Sequence, residues 1–342
     1  MKKIIYVDNF LTGHGHTPTT GTTLVKLFRD EGYHVVKTSS KQSKAVRLAD
    51  MLFTIFNNRK NAVVLIATYS TSAFYFACTC GFMCRFFNVP YIPCLHGGNL
   101  PQRIQNSPKL SRSYFGKSYS NVAVSGYLRQ SMMENNWKCI EIPNNITIND
   151  YPFHQKVTIK PSLLWVRSFH AIYNPALAIK IVHALSVTYP DVNLTMVGPD
   201  KDGSLDTCKA LIDELKLQDK VTFTGLLPRA EWTKLAASHD IFINTTNFDN
   251  LPVSVVEAMA LGMIVISTRV GGVPFLVDDL VNGLLVSAGD AAAFVDAIKE
   301  VLKDDERSAE ISLNARKKAE QYDWATVRLL WNKLLTEVDN LG

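Results

Sequence analysis

In the stretch INTTNFDNLPVSVVEAMALG, residues 243–262, Asp249 stands in a polar turn and Glu257 stands among Val, Ala and Met. An ionised carboxylate with apolar neighbours costs free energy unless something hydrogen-bonds it. Glu257 therefore either serves an internal structural need or awaits a ligand. The stretch reads as a strand, a polar loop and a helix entered at Pro252. Proline suits a first turn, because the N–H it lacks has no intrahelical partner there. Glu257 then lies roughly 7.5 Å along the axis, at about 1.5 Å per residue. A phosphate resting on the helix N-terminus would leave the hydroxyls of an attached sugar within reach of that carboxylate. By spacing alone, turn chemistry at Asp249 and an ion pair at Glu257 form the plainer account.

Other residues are candidates by type and place. NFLTGHGHTPTTGTTL follows an apolar first run, and Gly13 and Gly15 let backbone come close to a ligand there. It fails as a dinucleotide fingerprint, because no third glycine stands at the required place. PYIPCLHGGNLP puts His96 and two glycines after a buried strand, which fits a ligand cleft and a core or surface-loop histidine equally. GPDKDG contains Asp200 and Asp202 at a spacing that some transferases use to hold a divalent cation, but such a triplet arises often by chance. No cluster has zinc-ligand spacing, and no serine sits in a nucleophile elbow.

Elements that would position these residues follow from the pattern. Short Val- and Ile-rich runs alternate with helix-period segments, as in a parallel sheet covered on both faces. Strands are expected at KIIYVD, HVVKT, AVVLIAT, PYIPCLH, NVAVS and CIEIPNN in the first half. The second half gives SLLWVRS, NLTMVG, KVTFTG, IFINT, MIVIST and GLLVS. Two doubly wound domains are implied, 1–150 and 151–323, joined through a polar stretch with two prolines. A last helix, 324–342, follows a domain already complete and is expected to pack back on the first. In open sheets of this kind, ligands bind beyond the carboxyl ends of the strands.

Charge is uneven. Residues 1–150 carry 17 Lys and Arg against 7 Asp and Glu, whereas residues 151–342 carry 19 against 24. The basic half faces either an anionic surface or simply its acidic partner half. It lacks the interleaved aromatics and motifs of a nucleic-acid binder. KAVRLADMLFTIFNNRK pairs an apolar stripe (Val46, Ala49, Phe53, Phe56) with Lys and Arg. Burial inside its own domain explains that stripe more cheaply than membrane docking does. The six cysteines show no paired C-x-x-C spacing and read as reduced thiols of a cytosolic protein. The apolar opening is too short for a secretory signal, and no segment suits a spanning helix.

The segment DNLPVSVVEAMALGMIVISTRVGGVPFLVDDLVNGLLV resembles the hallmark of glycosyltransferase family 4. These are retaining, nucleotide-sugar-dependent enzymes of the GT-B fold, an α/β architecture of two doubly wound Rossmann-like domains facing across a cleft. The likeness extends over the second half and, more weakly, the first. It implies that Glu257 hydrogen-bonds the ribose hydroxyls of the nucleotide. The first of the family's two glutamates, which contacts the donor sugar's hydroxyls, falls on Asp249, one methylene shorter. Arg167, in LLWVRSFHAIYNPALAIK, matches the family's phosphate-binding arginine, and a planar guanidinium can meet two phosphate oxygens at once. A lysine usually follows, where this chain has Tyr173, so one positive charge is missing from the diphosphate site.

The same resemblance assigns Gly13 and Gly15 to an acceptor and phosphate loop and turns His96 toward the reacting sugar. It brings the backbone around Gly225 against the base, and Leu251, Pro252 and Val253 to the donor. The loop of Gly271 and Gly272 lies near the donor in the family, though many turns also need glycine. The implied reaction needs no protein nucleophile, metal or other cofactor: a UDP- or GDP-linked sugar passes to a saccharide or lipid-linked acceptor with retention, as in cell-surface polysaccharide synthesis. Peripheral contact of the basic half with the anionic inner membrane face stays open. So does a catalytically silent nucleotide-sugar-binding subunit or an epimerase of the same fold.

Overall fold

The computed structural model describes residues 2–11 and 19–340. Gly13 and Gly15 lie outside the described residues. The chain divides into two compact units, Met1–Asn144 with Arg328–Gly342, and Asn145–Val327. The division at Asn144/Asn145 falls before the polar, proline-containing stretch is complete, so the rest of that stretch belongs with the second unit.

In the first unit, strands β1 (Lys3–Val7), β2 (Val35–Thr38), β3 (Ala62–Thr68), β4 (Tyr91–Leu95), β5 (Asn121–Ala123) and β6 (Cys139–Glu141) form one sheet in the order β2-β1-β3-β4-β5-β6. Every pairing is parallel. Between them run helices α1 (Thr20–Asp30), α2 (Lys44–Asn58) and α3 (Ala73–Phe86). β3 is buried along its whole length, as a parallel strand covered on both faces must be. The order reverses between β1 and β3, which opens a crevice beyond the carboxyl ends of those strands.

The helix Trp324–Asp339 leaves the second unit and, from Arg328 onward, is counted with the first. There Trp331 meets Phe28 edge-on at 5.4 Å. Tyr33 donates to Asn332 Oδ1 at 2.8 Å, and the Lys2 amide donates to Asp339 Oδ1 at 2.7 Å.

One expectation is corrected in α2. The stripe Val46, Ala49, Phe53 and Phe56 faces solvent, while Met51 and Ile55 are buried and Leu48 and Leu52 pack partly behind them. Both sets recur at helical spacing, so the helix has two apolar faces, and periodicity cannot say which one the sheet takes. Cys78, Cys80, Cys84, Cys94 and Cys208 are free and buried, and burial pushes the Cys78 and Cys208 thiols up to about 12.

The second unit carries β7 (Ser162–Val166), β8 (Asn193–Val197), β9 (Val221–Gly225), β10 (Ile241–Asn244), β11 (Ile264–Thr268) and β12 (Leu284–Val286). Their order is β12-β11-β10-β7-β8-β9, again with every pairing parallel. Read from the other edge, this is the doubly wound dinucleotide-binding order, with its switch point between β7 and β10. All twelve strands expected from the sequence are present.

Candidate active site

The switch point of the second unit brings three of the sequence candidates together, Arg167, Tyr173 and Asp249. Arg167 is the first residue after β7, and Asp249 lies in the loop after β10. Arg167 Nη2 donates to Asp249 Oδ2 at 2.5 Å, and both side chains are mostly buried. Asp249 Oδ1 accepts the Asn250 amide at 2.8 Å, so both carboxylate oxygens have partners. The guanidinium also lies over the Tyr173 ring, 5.1 Å from its centroid. Arg167 Nε is buried and without a hydrogen-bond partner among the described residues. Tyr173 closes a short 3₁₀ turn, Ala171–Tyr173, and offers its ring to the arginine where the family pattern places a charge. A cation over an aromatic face is held in orientation without being neutralised.

The helix Val253–Leu261 begins immediately after Pro252, whose extended backbone makes it the cap and not the first helical residue. Leu251 and Pro252 are buried and Val253 is half-buried. The amides of Val255 and Val256 close on the Pro252 carbonyl, and the first N–H groups of such a helix lack intrahelical partners. Glu257 sits on this helix and is 6% exposed. Its Oε1 accepts the Tyr151 hydroxyl at 2.6 Å and lies 3.3 Å from Arg229 Nε. Burial raises the Glu257 pKa, against the lowering pull of Tyr151, Arg229 and Arg167. Of the opening alternatives, the structure shows the internal one: Glu257 has a hydroxyl and a cation as partners, both on one oxygen. Arg229 is 56% exposed at the side chain, so its guanidinium is not buried with the carboxylate.

Glycines fix these loops by close approach. A Cβ on Gly271 or Gly272 would collide with the carbonyls of Asp249 and Asn250 respectively, and Gly271 has a left-handed backbone. The Gly272 amide donates to Asp249 O at 2.9 Å. Gly225 ends β9 in an open, exposed place. Asp200 and Asp202 hold their own loop: Asp200 Oδ1 accepts the Gly203 amide, and Asp202 accepts the amides of Ser204 and Ala171.

In the first unit, the switch point gathers Asp8, Tyr69 and His96. Asp8 follows β1 and is 2% exposed. It accepts the Thr19 hydroxyl at 2.7 Å and the Tyr69 hydroxyl at 3.3 Å. The His96 ring lies 5.8 Å from the Tyr69 ring, and both its nitrogens are buried without hydrogen-bond partners among the described residues. Burial lowers the His96 pKa, with Asp8 pulling the other way.

Asp8, Tyr151 and Arg229 are not among the sequence candidates. Arg229 opens the helix Arg229–Ala236, whose first turn also carries Glu231, so its position alone did not point to Glu257. Tyr151 and Asp8 gave no signal beyond their types.

Residues 150–318 match the model of the glycosyl transferases group 1 family. The chain resembles glycosyltransferases of the GT-B fold. D-inositol 3-phosphate glycosyltransferase of Corynebacterium glutamicum is 30% identical over 178 residues, 51% of this chain and 41% of that protein. Sulfoquinovosyl transferase SQD2 of Arabidopsis thaliana is 27% identical over 150 residues, 43% of this chain and 28% of that one. The matched segment thus spans less than half the length of these curated glycosyltransferases. Among solved structures, Anabaena Alr3699/HepE in complex with UDP superposes with a TM-score of 0.78 at 17% identity, covering 98% of this chain and all of that one. Sucrose-phosphate synthase (tll1590) from Thermosynechococcus elongatus gives 0.81 at 15% identity, covering both chains fully. At these identities the likeness shows the fold.

Proposed function

We propose that this protein is a retaining glycosyltransferase that moves a sugar from a nucleotide diphosphate to a saccharide or lipid-linked acceptor, without a metal, in the synthesis of a cell-surface polysaccharide. The observation that supports this most is the meeting of Arg167, Asp249 and the start of helix Val253–Leu261 at the switch point of the second sheet. Arg167 keeps for a phosphate oxygen its buried Nε, which has no hydrogen-bond partner among the described residues, and Asp249 orients the guanidinium. The helix N-terminus adds partial positive charge at the same place. The free oxygen of Glu257 takes the ribose hydroxyls, one helical turn further in.

In the reaction, the bond from the anomeric carbon to the diphosphate breaks and a bond to the acceptor oxygen forms on the same face. The acceptor's proton passes to the departing phosphate. The protein's part is positioning and stabilisation of the leaving charge. Gly225 and Leu251 border the base and sugar in this reading. The acceptor is assigned to the first unit, with His96 as its candidate contact. Anabaena HepE was also crystallised with UDP-glucose, which makes UDP-sugars the first donors to try and GDP-sugars the second.

A second reading is favoured by one feature. Asp249 spends both oxygens on the protein, and Tyr173 replaces a charge, which suits a catalytically silent subunit that only binds nucleotide-sugar. The same-fold epimerase is left without such a feature. A panel of radiolabelled nucleotide-sugars, with and without chelator, separates them. Sugar release or transfer that survives chelation is expected. Nucleotide binding by calorimetry with no turnover from any donor would establish the silent subunit instead, and loss in chelator restored by manganese would return Asp200 and Asp202 to consideration.

A further inference from the structure

We infer that Tyr151 is a positioning residue for Glu257: its hydroxyl takes one carboxylate oxygen, so that Glu257 offers the other to a single hydroxyl of the nucleotide's pentose. This rests on the reading of Glu257 as the ribose contact and narrows that contact from the hydroxyls together to one of them.

Tyr151 comes from the start of the second unit, directly after the 3₁₀ turn Ile148–Asp150. The segment it opens is fastened to the carboxyl end of helix Val253–Leu261, where the last carbonyls have no intrahelical partner. The His154 amide donates to Leu261 O at 3.3 Å. Arg316, on the helix Asp305–Glu320, donates through Nη1 to Ala260 O at 2.7 Å and to Tyr151 O at 2.8 Å, while its Nε pairs with Glu320 at 2.9 Å. A cation suits that end of a helix. Gly262 makes the close approach possible: its backbone is left-handed, and a Cβ there would stand 2.7 Å from His154 O and 2.9 Å from the Phe153 ring.

From this anchorage the Tyr151 ring, 1% exposed, reaches Glu257 about one turn earlier on the helix, and its hydroxyl donates to Oε1 at 2.6 Å. Burial and the Glu257 charge push the Tyr151 pKa up, so the hydroxyl keeps the proton it donates. Arg229 Nε lies 3.3 Å from the same oxygen. A carboxylate oxygen accepts about two hydrogen bonds, so Oε1 is filled by the protein. Oε2 has no hydrogen-bond partner among the described residues. A carboxylate that grips a cis-diol with both oxygens sets one hydroxyl on each. In this protein the phenol of Tyr151 stands where the second would be. Packing alone does not ask for that phenol, because the ring lies in an apolar cluster with Leu164, Val255 and Ala319.

Calorimetry of the full chain with UDP, 2′-deoxy-UDP and 3′-deoxy-UDP, or with the matching GDP set if GDP is the nucleotide bound, counts the hydroxyls. The share of each affinity loss that belongs to Glu257 is the share that disappears in Glu257→Ala. It should be about tenfold or more for one analogue and less than about twofold for the other. A comparable share for both analogues, or for neither, overturns the inference. Tyr151→Phe keeps the ring and removes only the hydroxyl. Tyr151, Arg229 and Arg167 all lower the Glu257 pKa against the effect of burial, so losing the first should move the acid side of the affinity profile to higher pH. A Tyr151 that merely fills space would leave that profile in place, and the inference would then be wrong. A parent chain that binds neither UDP nor GDP overturns the donor-site reading itself, whereas nucleotide bound with another hydroxyl pattern removes only the role given to Tyr151.

Discussion

At the switch point of the second unit, Arg167, Asp249 and Glu257 each have a protein partner, and glycines press their loops into place. At that of the first, Asp8 is held by hydroxyls, while His96 carries two buried nitrogens unpartnered among the described residues. The first cluster leaves Arg167 Nε and one oxygen of Glu257 without a hydrogen-bond partner among the described residues. In the second, a titratable ring packs against Tyr69 with no hydrogen bond among the described residues. The contrast is between a charged cluster with protein partners in the second unit and a buried ring packed on an aromatic neighbour in the first.

Arg167→Ala cuts deepest into that contrast. It removes the guanidinium and leaves Asp249 buried without its cation, and turnover should fall about 10²- to 10³-fold. Affinity for the free nucleoside should change little, a split that steady-state kinetics and calorimetry together read. Equal loss in both would move Arg167 from the leaving group to general binding.

Next is Glu257→Gln, which keeps shape and loses charge. Nucleotide affinity should fall about tenfold or more, since hydrogen bonds to a charged group are worth about 1.5–3 kcal/mol. The pH dependence has a definite sign. Burial raises the Glu257 pKa above the ordinary glutamate value, so ribose binding to the carboxylate weakens as pH falls through that raised value. Its effect on folding runs the other way: the raised group contributes stability below the ordinary carboxylate range and loses it as pH rises through the folded pKa. Calorimetric titration across acidic pH should show the affinity loss in the parent and not in Glu257→Gln.

The smallest effect is expected at His96. Burial lowers its pKa, so the neutral ring favours the fold above the ordinary imidazole value, and that contribution is lost as pH falls. His96→Gln should flatten the dependence of Tm on pH between about 7 and 5. Turnover should drop by about tenfold at most, with nucleotide affinity unchanged. A large loss of nucleotide affinity would erase the distinction between the two clusters.

The strands were legible because Val- and Ile-rich runs bounded by turns admit few other readings. Asp249 and Glu257 were legible because polar loop, proline and buried acid occur in one continuous stretch. Their actual partners were not, since Tyr151 and Arg229 come from separate segments and only folding brings them to Glu257. Nor was the outward stripe of α2, where two apolar faces share one period and the sheet's choice depends on neighbours far along the chain. Asp8 illustrates the same limit: a lone acid after a strand looks like any loop residue until Thr19 and Tyr69 close over it.

The glycine pair after β11 has a consequence for how such a protein changes over time. Because the carbonyls of Asp249 and Asn250 abut the backbone of Gly271 and Gly272, no side chain can be introduced at either position without pushing the acid out of register with Arg167. New ligand preferences would then have to be acquired through insertions or through residues elsewhere on the rim, while this doublet stays silent to gradual substitution.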